Sequence, residues 1–302
     1  MTSRRPIILT AAAVAAAAAI AGGCGDSHDE HSGAEQVTTS MEHGTGGAAG
    51  PDHAAMGHEA AGAPPEAKVG TIDGLKSSAD GYTLKGQTAS LGTGGGLVRF
   101  RIAGRDGKPV TKFGVDQTKR MHLIVASRDL IDYEHVHPVM AANGTWSVKV
   151  GLPTSTGYRV FADFVAGGER HVLGWNLRVG RQSTSRALPP PRPRAATDGF
   201  DVAIAAPMLE PGKEAKVTFT VNRSGAGVRD LQPYLGALGH LVMLRQGDLE
   251  YLHVHPVTGP DAGGPQISFM VDLPRPGTYR AFLQFQQGGK VRTAAYTVAA
   301  TP

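Results

Sequence analysis

The feature that most constrains this chain is an internal repeat. Three histidines of a first copy recur 118 positions later in a second copy: His122, His135 and His137 return as His240, His253 and His255. The second and third members of each triplet stand in the same Tyr-x-His-Val-His-Pro-Val segment. A long repeat of this kind is one structural unit used twice. The sequence therefore predicts two domains of the same fold.

Within each copy, apolar and polar residues alternate over short runs, as at residues 97–102 and 216–221, and Gly, Pro, Asn and Asp separate these runs. Such alternation is typical of β-strands. About seven strands of this length fit a sandwich of roughly 100 residues. The sequence predicts an all-β protein with two tandem immunoglobulin-like or cupredoxin-like β-sandwich domains, at residues 67–180 and 198–302, joined by a Pro-rich linker at 181–197.

The N-terminus predicts export and lipid anchoring. Arg4 and Arg5 precede an apolar run of about 14 residues, shorter than the roughly 20 that a membrane-spanning helix needs, and small residues then lead to Cys24. We interpret residues 1–23 as a lipoprotein signal peptide and Cys24 as the lipidated residue, which would hold the protein on the extracytoplasmic face of the cell membrane. In the alternative interpretation Cys24 is incidental beside an ordinary cleavage site, and the export route stays open.

Residues 24–66 contain almost no large apolar side chain, so we expect a disordered tether. Thioether sulfur suits Cu(I), and imidazole suits Cu(II) or zinc. The tether residues predicted to capture such ions are His43, His53, Met56 and His58. The alternative is a solvated linker that happens to be rich in histidine.

Composition excludes several classes of function. Cys24 is the only cysteine, so the domains have neither a disulfide nor the thiolate that a blue-copper centre requires. The formal net charge is +4 without a dense basic stripe, which argues against a nucleic-acid partner. Because the sequence contains no recognisable catalytic motif, we do not expect an enzyme.

The domain histidines are the candidate metal ligands. His135 and His137 are two apart on a predicted strand, so they share one face, and residues 128–132 predict a hairpin back to the strand that carries His122. Whether His122 joins that face depends on strand register. Three imidazoles with an open position would bind copper or zinc, and Met121 could add a soft ligand. The alternative is a structural role for these histidines. His171, which has no counterpart in the second copy, is predicted to lie at the surface.

The segments 121–125, 133–138 and 157–164 resemble a poorly characterised group of secreted or lipid-anchored bacterial proteins with His-x-His-Pro sandwich domains, often found in copper or heavy-metal settings. The resemblance covers both domains and implies metal handling at the histidine triplet of each copy. The second copy departs from the pattern at Gly239, and at Gln284 where the first copy has Asp163.

Together these features predict a membrane-anchored, extracytoplasmic metal-binding lipoprotein. Copper is the expected metal and zinc the alternative. The protein would capture or buffer the metal, or deliver it to a metal-transport or oxidase partner. The competing hypothesis is a metal-free structural or protein-binding β-sandwich lipoprotein.

Overall fold

The computed structural model describes residues 74–181, 185–206, 208–259 and 263–301. These residues belong to one compact unit of the chain, Gly62–Pro302. Within the described ranges every regular element is a β-strand, and none of these residues forms a helix long and apolar enough to cross a membrane. The predicted all-β class with two tandem β-sandwich domains is confirmed.

The first domain is a sandwich of two five-stranded sheets, with strand orders β1-β2-β4-β8-β7 and β3-β10-β9-β5-β6. Its core lies between the sheets and contains Phe100, Trp146, Tyr158 and Phe164. The strands are β1 Ser78–Ala79, β2 Tyr82–Gly86, β3 Ser90–Leu91, β4 Gly96–Ala103, β5 His122–Ser127, β6 Tyr133–Val136, β7 Val139–Met140, β8 Thr145–Val150, β9 Gly157–Ala166 and β10 Glu169–Val179.

The second domain repeats this plan with one difference. Its strands are β11 Arg194–Thr197, β12 Phe200–Ala205, β13 Glu214–Arg223, β14 Ala226–Gly227, β15 Gly239–Arg245, β16 Tyr251–Pro256, β17 Gln266–Asp272, β18 Gly277–Gln287 and β19 Lys290–Ala300. Strand β16 pairs with β15 through its first half and with β17 through its end, so it passes from one sheet to the other. In the first domain the equivalent stretch is interrupted at Pro138 into β6 and β7, which pair with β5 and β8.

Each domain contains a tyrosine that is hydrogen-bonded to the backbone four residues upstream. Tyr158 donates to the carbonyl of Thr154 at 3.0 Å, and Tyr279 donates to the carbonyl of Arg275 at 2.7 Å. This tyrosine corner is a recurrent feature of immunoglobulin-like sandwiches. Its presence in both copies shows that the sequence repeat is also a structural repeat.

The two sandwiches pack against each other through equivalent sheet faces. Tyr133 of the first domain stacks on Phe282 of the second, with ring centroids 4.0 Å apart, and Phe161 of the first stacks on Tyr251 of the second at 5.4 Å. The buried residues of this interdomain cluster are Ile124, Ala126, Leu130, Phe161, Val172, Val242, Leu244, Leu249, Tyr251 and Phe282. Because the two domains contribute equivalent residues, the interface is approximately two-fold symmetric.

Both hairpins that precede the His-x-His strands strain their backbone to bury a leucine in this interface. Leu130 has φ 58° and Leu249 has φ 63°, a region that bulky side chains rarely adopt, and both side chains are almost completely buried. Strain of this kind persists only where surrounding contacts determine the conformation. Each repeat therefore carries a strained leucine that the interdomain interface buries.

The linker region differs from the prediction at its C-terminal end. Residues 194–197, predicted as linker, form β11 because they pair with β12 of the second sandwich. The preceding residues contact both domains: Arg186 donates to Asp129 of the first, and the carbonyl of Pro189 accepts from Thr297 of the second.

Candidate metal centre

The register of β5 and β6 brings three histidines to one face. Ile124 lies opposite His135 and Leu123 opposite Val136, which places His122 on the same face as His135 and His137. The predicted hairpin at residues 128–132 joins these antiparallel strands. His122 and His135 are buried, whereas His137 is partly exposed. One nitrogen from each of the three lies within 4.8 Å of the other two.

Hydrogen bonds at the outer nitrogens fix the orientation of two of these rings. His122 Nε2 lies 3.1 Å from the backbone carbonyl oxygen of Asp116, which can only accept, so Nε2 carries the proton. His135 Nδ1 donates to Gln284 Oε1 at 2.7 Å. The remaining nitrogens, His122 Nδ1 and His135 Nε2, then present lone pairs to each other at 3.1 Å. Two lone pairs at this distance repel each other unless a proton or a metal ion lies between them.

His137 contributes a third unsatisfied nitrogen. Its Nε2 is buried and has no hydrogen-bond partner among the described residues, and its ring centroid lies 5.0 Å from that of His122 and 4.8 Å from that of His135. Burial, His122 and Lys119 lower the pKa of His137 to about 3. Burial and the two neighbouring imidazoles also hold the pKa of His135 well below its usual range. Both rings are therefore neutral at pH 7, as metal ligation requires.

These features fit a metal ion. Nitrogens bound at about 2.0–2.1 Å to one tetrahedral ion lie about 3.3 Å apart, close to the distance between His122 Nδ1 and His135 Nε2. Ligating histidines usually donate their other ring N–H to a carbonyl or carboxylate oxygen, as His122 and His135 do. The partly exposed His137 has a nitrogen within 4.8 Å of the other two and would complete the set by moving closer to them.

A buried ion-pair network supports the loop whose Asp116 carbonyl accepts the hydrogen bond from His122. Arg170 bonds the side chains of both Asp116 and Asp163, the latter at 2.9 Å. Asp163 also accepts from Tyr251 of the second domain at 3.0 Å. The carboxylates, together with nearby Tyr251, outweigh burial and raise the pKa of Arg170 well above its ordinary value, so Arg170 stays charged.

Comparison with known proteins identifies the family. A family model described as "Domain of unknown function (DUF8832)" matches residues 77–180 and again residues 195–302. The chain belongs to this family. The two matches coincide with the two sandwiches, so each sandwich is one DUF8832 domain. No curated protein sequence matches the chain at a significant level.

Among solved structures, the chain is similar to a Salmonella alpha-2-macroglobulin reacted with methylamine and to a two-domain fibronectin type III segment of chicken tenascin. The first has 14% identity over 76% of this chain and 15% of that chain, with a TM-score of 0.26. The second has 12% identity over 72% of this chain and 97% of that chain, with a TM-score of 0.21. This chain thus spans about 15% of the macroglobulin's length.

The second DUF8832 domain contributes to the same cluster. His240 at the start of β15 is buried, and its ring centroid lies 4.6 Å from that of His135 and 6.0 Å from that of His122. The backbone of β16 places His253 opposite Val242 and His255 opposite Met270, and the side chains of these two histidines lie outside the described part of the protein. The sequence predicted a separate triplet in each domain, and it did not predict that His240 would lie beside His122 and His135.

Two sequence predictions are corrected here. Met121 packs in the core of the first sandwich, on the opposite side of the sheet from His122, because consecutive residues of an extended strand face opposite ways; it is not a ligand of this cluster. His171 is buried rather than on the surface. It bonds the carbonyl of Ala166 at 3.2 Å and packs between the rings of Tyr82 and Phe164.

The remaining candidates precede the described residues. Cys24 and the tether residues belong to the N-terminal segment, which lies outside them, and their roles stay predictions: His43, His53, Met56 and His58.

Sequence reasoning missed the residues that orient the histidines, Asp116 and Gln284. A signal for the interdomain surface was present, however. Strands β5 and β15 read as continuous apolar runs, Leu123–Ala126 and Leu241–Leu244, instead of alternating with polar residues. A continuous run indicates a strand buried on both faces. That pattern could have predicted a second layer over the histidine face.

Proposed function

We propose that this DUF8832 protein is an extracytoplasmic metal-binding lipoprotein that holds a metal ion at His122, His135 and His137. Copper is the metal we expect, with zinc as the alternative, since both accept imidazole ligands. Cys24 would anchor the protein to the membrane. From there it would capture or buffer the ion, or deliver it to a metal-transport or oxidase partner.

One observation carries the proposal. His122 Nδ1 and His135 Nε2 face each other at 3.1 Å while their other ring nitrogens donate outward, and the buried His137 Nε2 has no hydrogen-bond partner among the described residues. A purely structural cluster would leave the buried His137 Nε2 unsatisfied, at a cost of about 1–3 kcal/mol. A bound cation removes that cost.

The test is a titration with Cu(I), Cu(II) and Zn(II). We would use the full chain with Cys24→Ser, and with the tether histidines and methionines replaced by serine, so that binding reports on the domains alone. The replaced tether residues are His28, His31, Met41, His43, His53, Met56 and His58. We expect tight binding of one ion per chain, and its loss in the double variant His135→Ala/His137→Ala.

The matched control is His171→Ala, which removes another buried imidazole of the same domain, outside the cluster. This variant should bind metal like the parent chain. The competing hypothesis of a metal-free structural or protein-binding module predicts no tight binding by the parent chain, and a loss of thermal stability in the double variant.

A further inference from the structure

The metal cluster lies where the two DUF8832 domains meet. Its first-domain histidines extend from the same sheet face that carries Ile124 and Tyr133 into the interdomain cluster. On the second domain, His240 shares a face of β15 with Val242, a member of that cluster. The stacked pair Tyr133–Phe282 fixes the spacing between the two faces. The position of His240 beside the triplet is therefore set by a packed interface.

The ring spacing of the first-domain triplet matches a single four-coordinate ion, and His240 lies beside that triplet. Imidazoles bound tetrahedrally at 2.0–2.1 Å have ring centroids about 5 Å apart. The centroid distances are 5.3 Å for His122–His135, 5.0 Å for His122–His137 and 4.8 Å for His135–His137. Those to His240 are 4.6 Å from His135 and 6.0 Å from His122. His240 thus adjoins the triplet but is not in the group whose nitrogens lie within 4.8 Å of one another, so it would bind the same ion only after its ring moves toward the centre.

The second domain also orients a first-domain ligand. Gln284, on β18 opposite His240, accepts from His135 Nδ1 and so directs His135 Nε2 toward the cluster. Gln284 is buried, and the contact joins residues 149 positions apart in the chain. A second domain that only packed against the first would not need to supply a hydrogen bond at this point.

We propose that the metal site is shared between the two domains, with His240 as its fourth imidazole ligand and Gln284 as a positioning residue for His135. This inference rests on the proposed function and adds a specific consequence. An ion bound by residues of both domains holds the two sandwiches together, and four imidazoles leave no open position, which suits storage or transfer of the ion rather than catalysis.

The experiment uses the same tether-substituted full chain, with Zn(II) and Cu(I) as probes. We expect His240→Ala to weaken binding by about 100-fold or more and Gln284→Ala by about 10-fold, the range seen when ligands or their orienting partners are removed. The matched control is Val242→Ala, which alters the interface two residues along the same strand face without touching the cluster. Its affinity should stay within about threefold of the parent.

Because His240→Ala could fail to fold, a second measurement follows the side-chain ¹⁵N resonances of the parent chain during Zn(II) addition, with His240 assigned from His240→Gln. A shift of the His240 nitrogens at one equivalent supports the shared site. Unchanged affinity in folded His240→Ala, or unmoved His240 resonances, while the double variant His135→Ala/His137→Ala loses binding, would overturn the shared site and leave the proposed function intact. Absence of binding by the parent chain would overturn both.

Discussion

The two domains use one position differently, and the difference shapes the histidine cluster. Asp163 on β9 and Gln284 on β18 are equivalent and both buried. The carboxylate of Asp163 pairs with Arg170. In the second domain the position equivalent to Arg170 is occupied by Val291, which carries no charge. A buried charge needs a partner charge, and a neutral amide does not. The first domain thus holds a charged network that supports the loop bonded to His122, and the second supplies a neutral acceptor to His135.

The largest effect should come from the interdomain aromatic pairs. Phe282→Ala removes the ring that stacks on Tyr133, and Phe161→Ala removes its counterpart beside Tyr251. Each ring is almost completely buried. We expect each substitution to lower the free energy of unfolding by about 3–5 kcal/mol, measured by urea denaturation. A large loss for one ring only would show that the interface is not symmetric in energy.

The next effect separates the charged position from the neutral one. Asp163→Asn leaves Arg170 with only Asp116 as its anionic partner, and it should cost about 3 kcal/mol because a buried pair is broken. Gln284→Asn keeps an uncharged amide and should cost about 1 kcal/mol through its lost bond to His135. Equal losses in the free energy of unfolding for Asp163→Asn and Gln284→Asn would contradict a charged role for one position and a neutral role for the other.

A smaller effect concerns the two hairpins. In the first hairpin, Asp129 and Asp132 bond Arg186, which belongs to the linker. In the second hairpin, Asp248 bonds Arg245, which belongs to the second sandwich. Arg186→Ala should cost about 1 kcal/mol at pH 7, because the partly exposed arginine is screened by solvent. Arg245→Ala in the second hairpin is the matched comparison.

The same contact has a pH signature. Burial opposes ionisation of Asp129, but hydrogen bonds from Arg186 and Ser127 outweigh it and lower its pKa from 3.8 to about 2. Since the folded-state pKa is depressed, the stabilisation is complete above pH about 4 and is lost as the pH falls toward 2. Thermal melts should therefore show the Arg186→Ala difference at pH 7 and a smaller one at pH 2. A difference independent of pH would contradict this account.

The sequence predicted the features that local pattern determines. The repeat predicted two domains, alternation predicted strands, and residues 128–132 predicted the hairpin that brings β5 and β6 together. Register could not be predicted, because a slip of one residue reverses the face of His122 at little local cost. The proximity of His240 and Gln284 could not be predicted either, since it depends on how two complete sandwiches pack. The alternation of side chains along the strand should have excluded Met121 once His122 was chosen.

X-ray absorption at the metal edge reports directly on the atoms that bind the ion. The sample is the tether-substituted chain with one equivalent of whichever ion, Cu(I), Cu(II) or Zn(II), binds most tightly. We expect a first shell of four nitrogens, at about 2.0–2.1 Å for zinc, with the outer-shell scattering of imidazole rings. A first shell dominated by oxygen, or one with fewer than four imidazoles, would contradict a histidine site shared by the two domains.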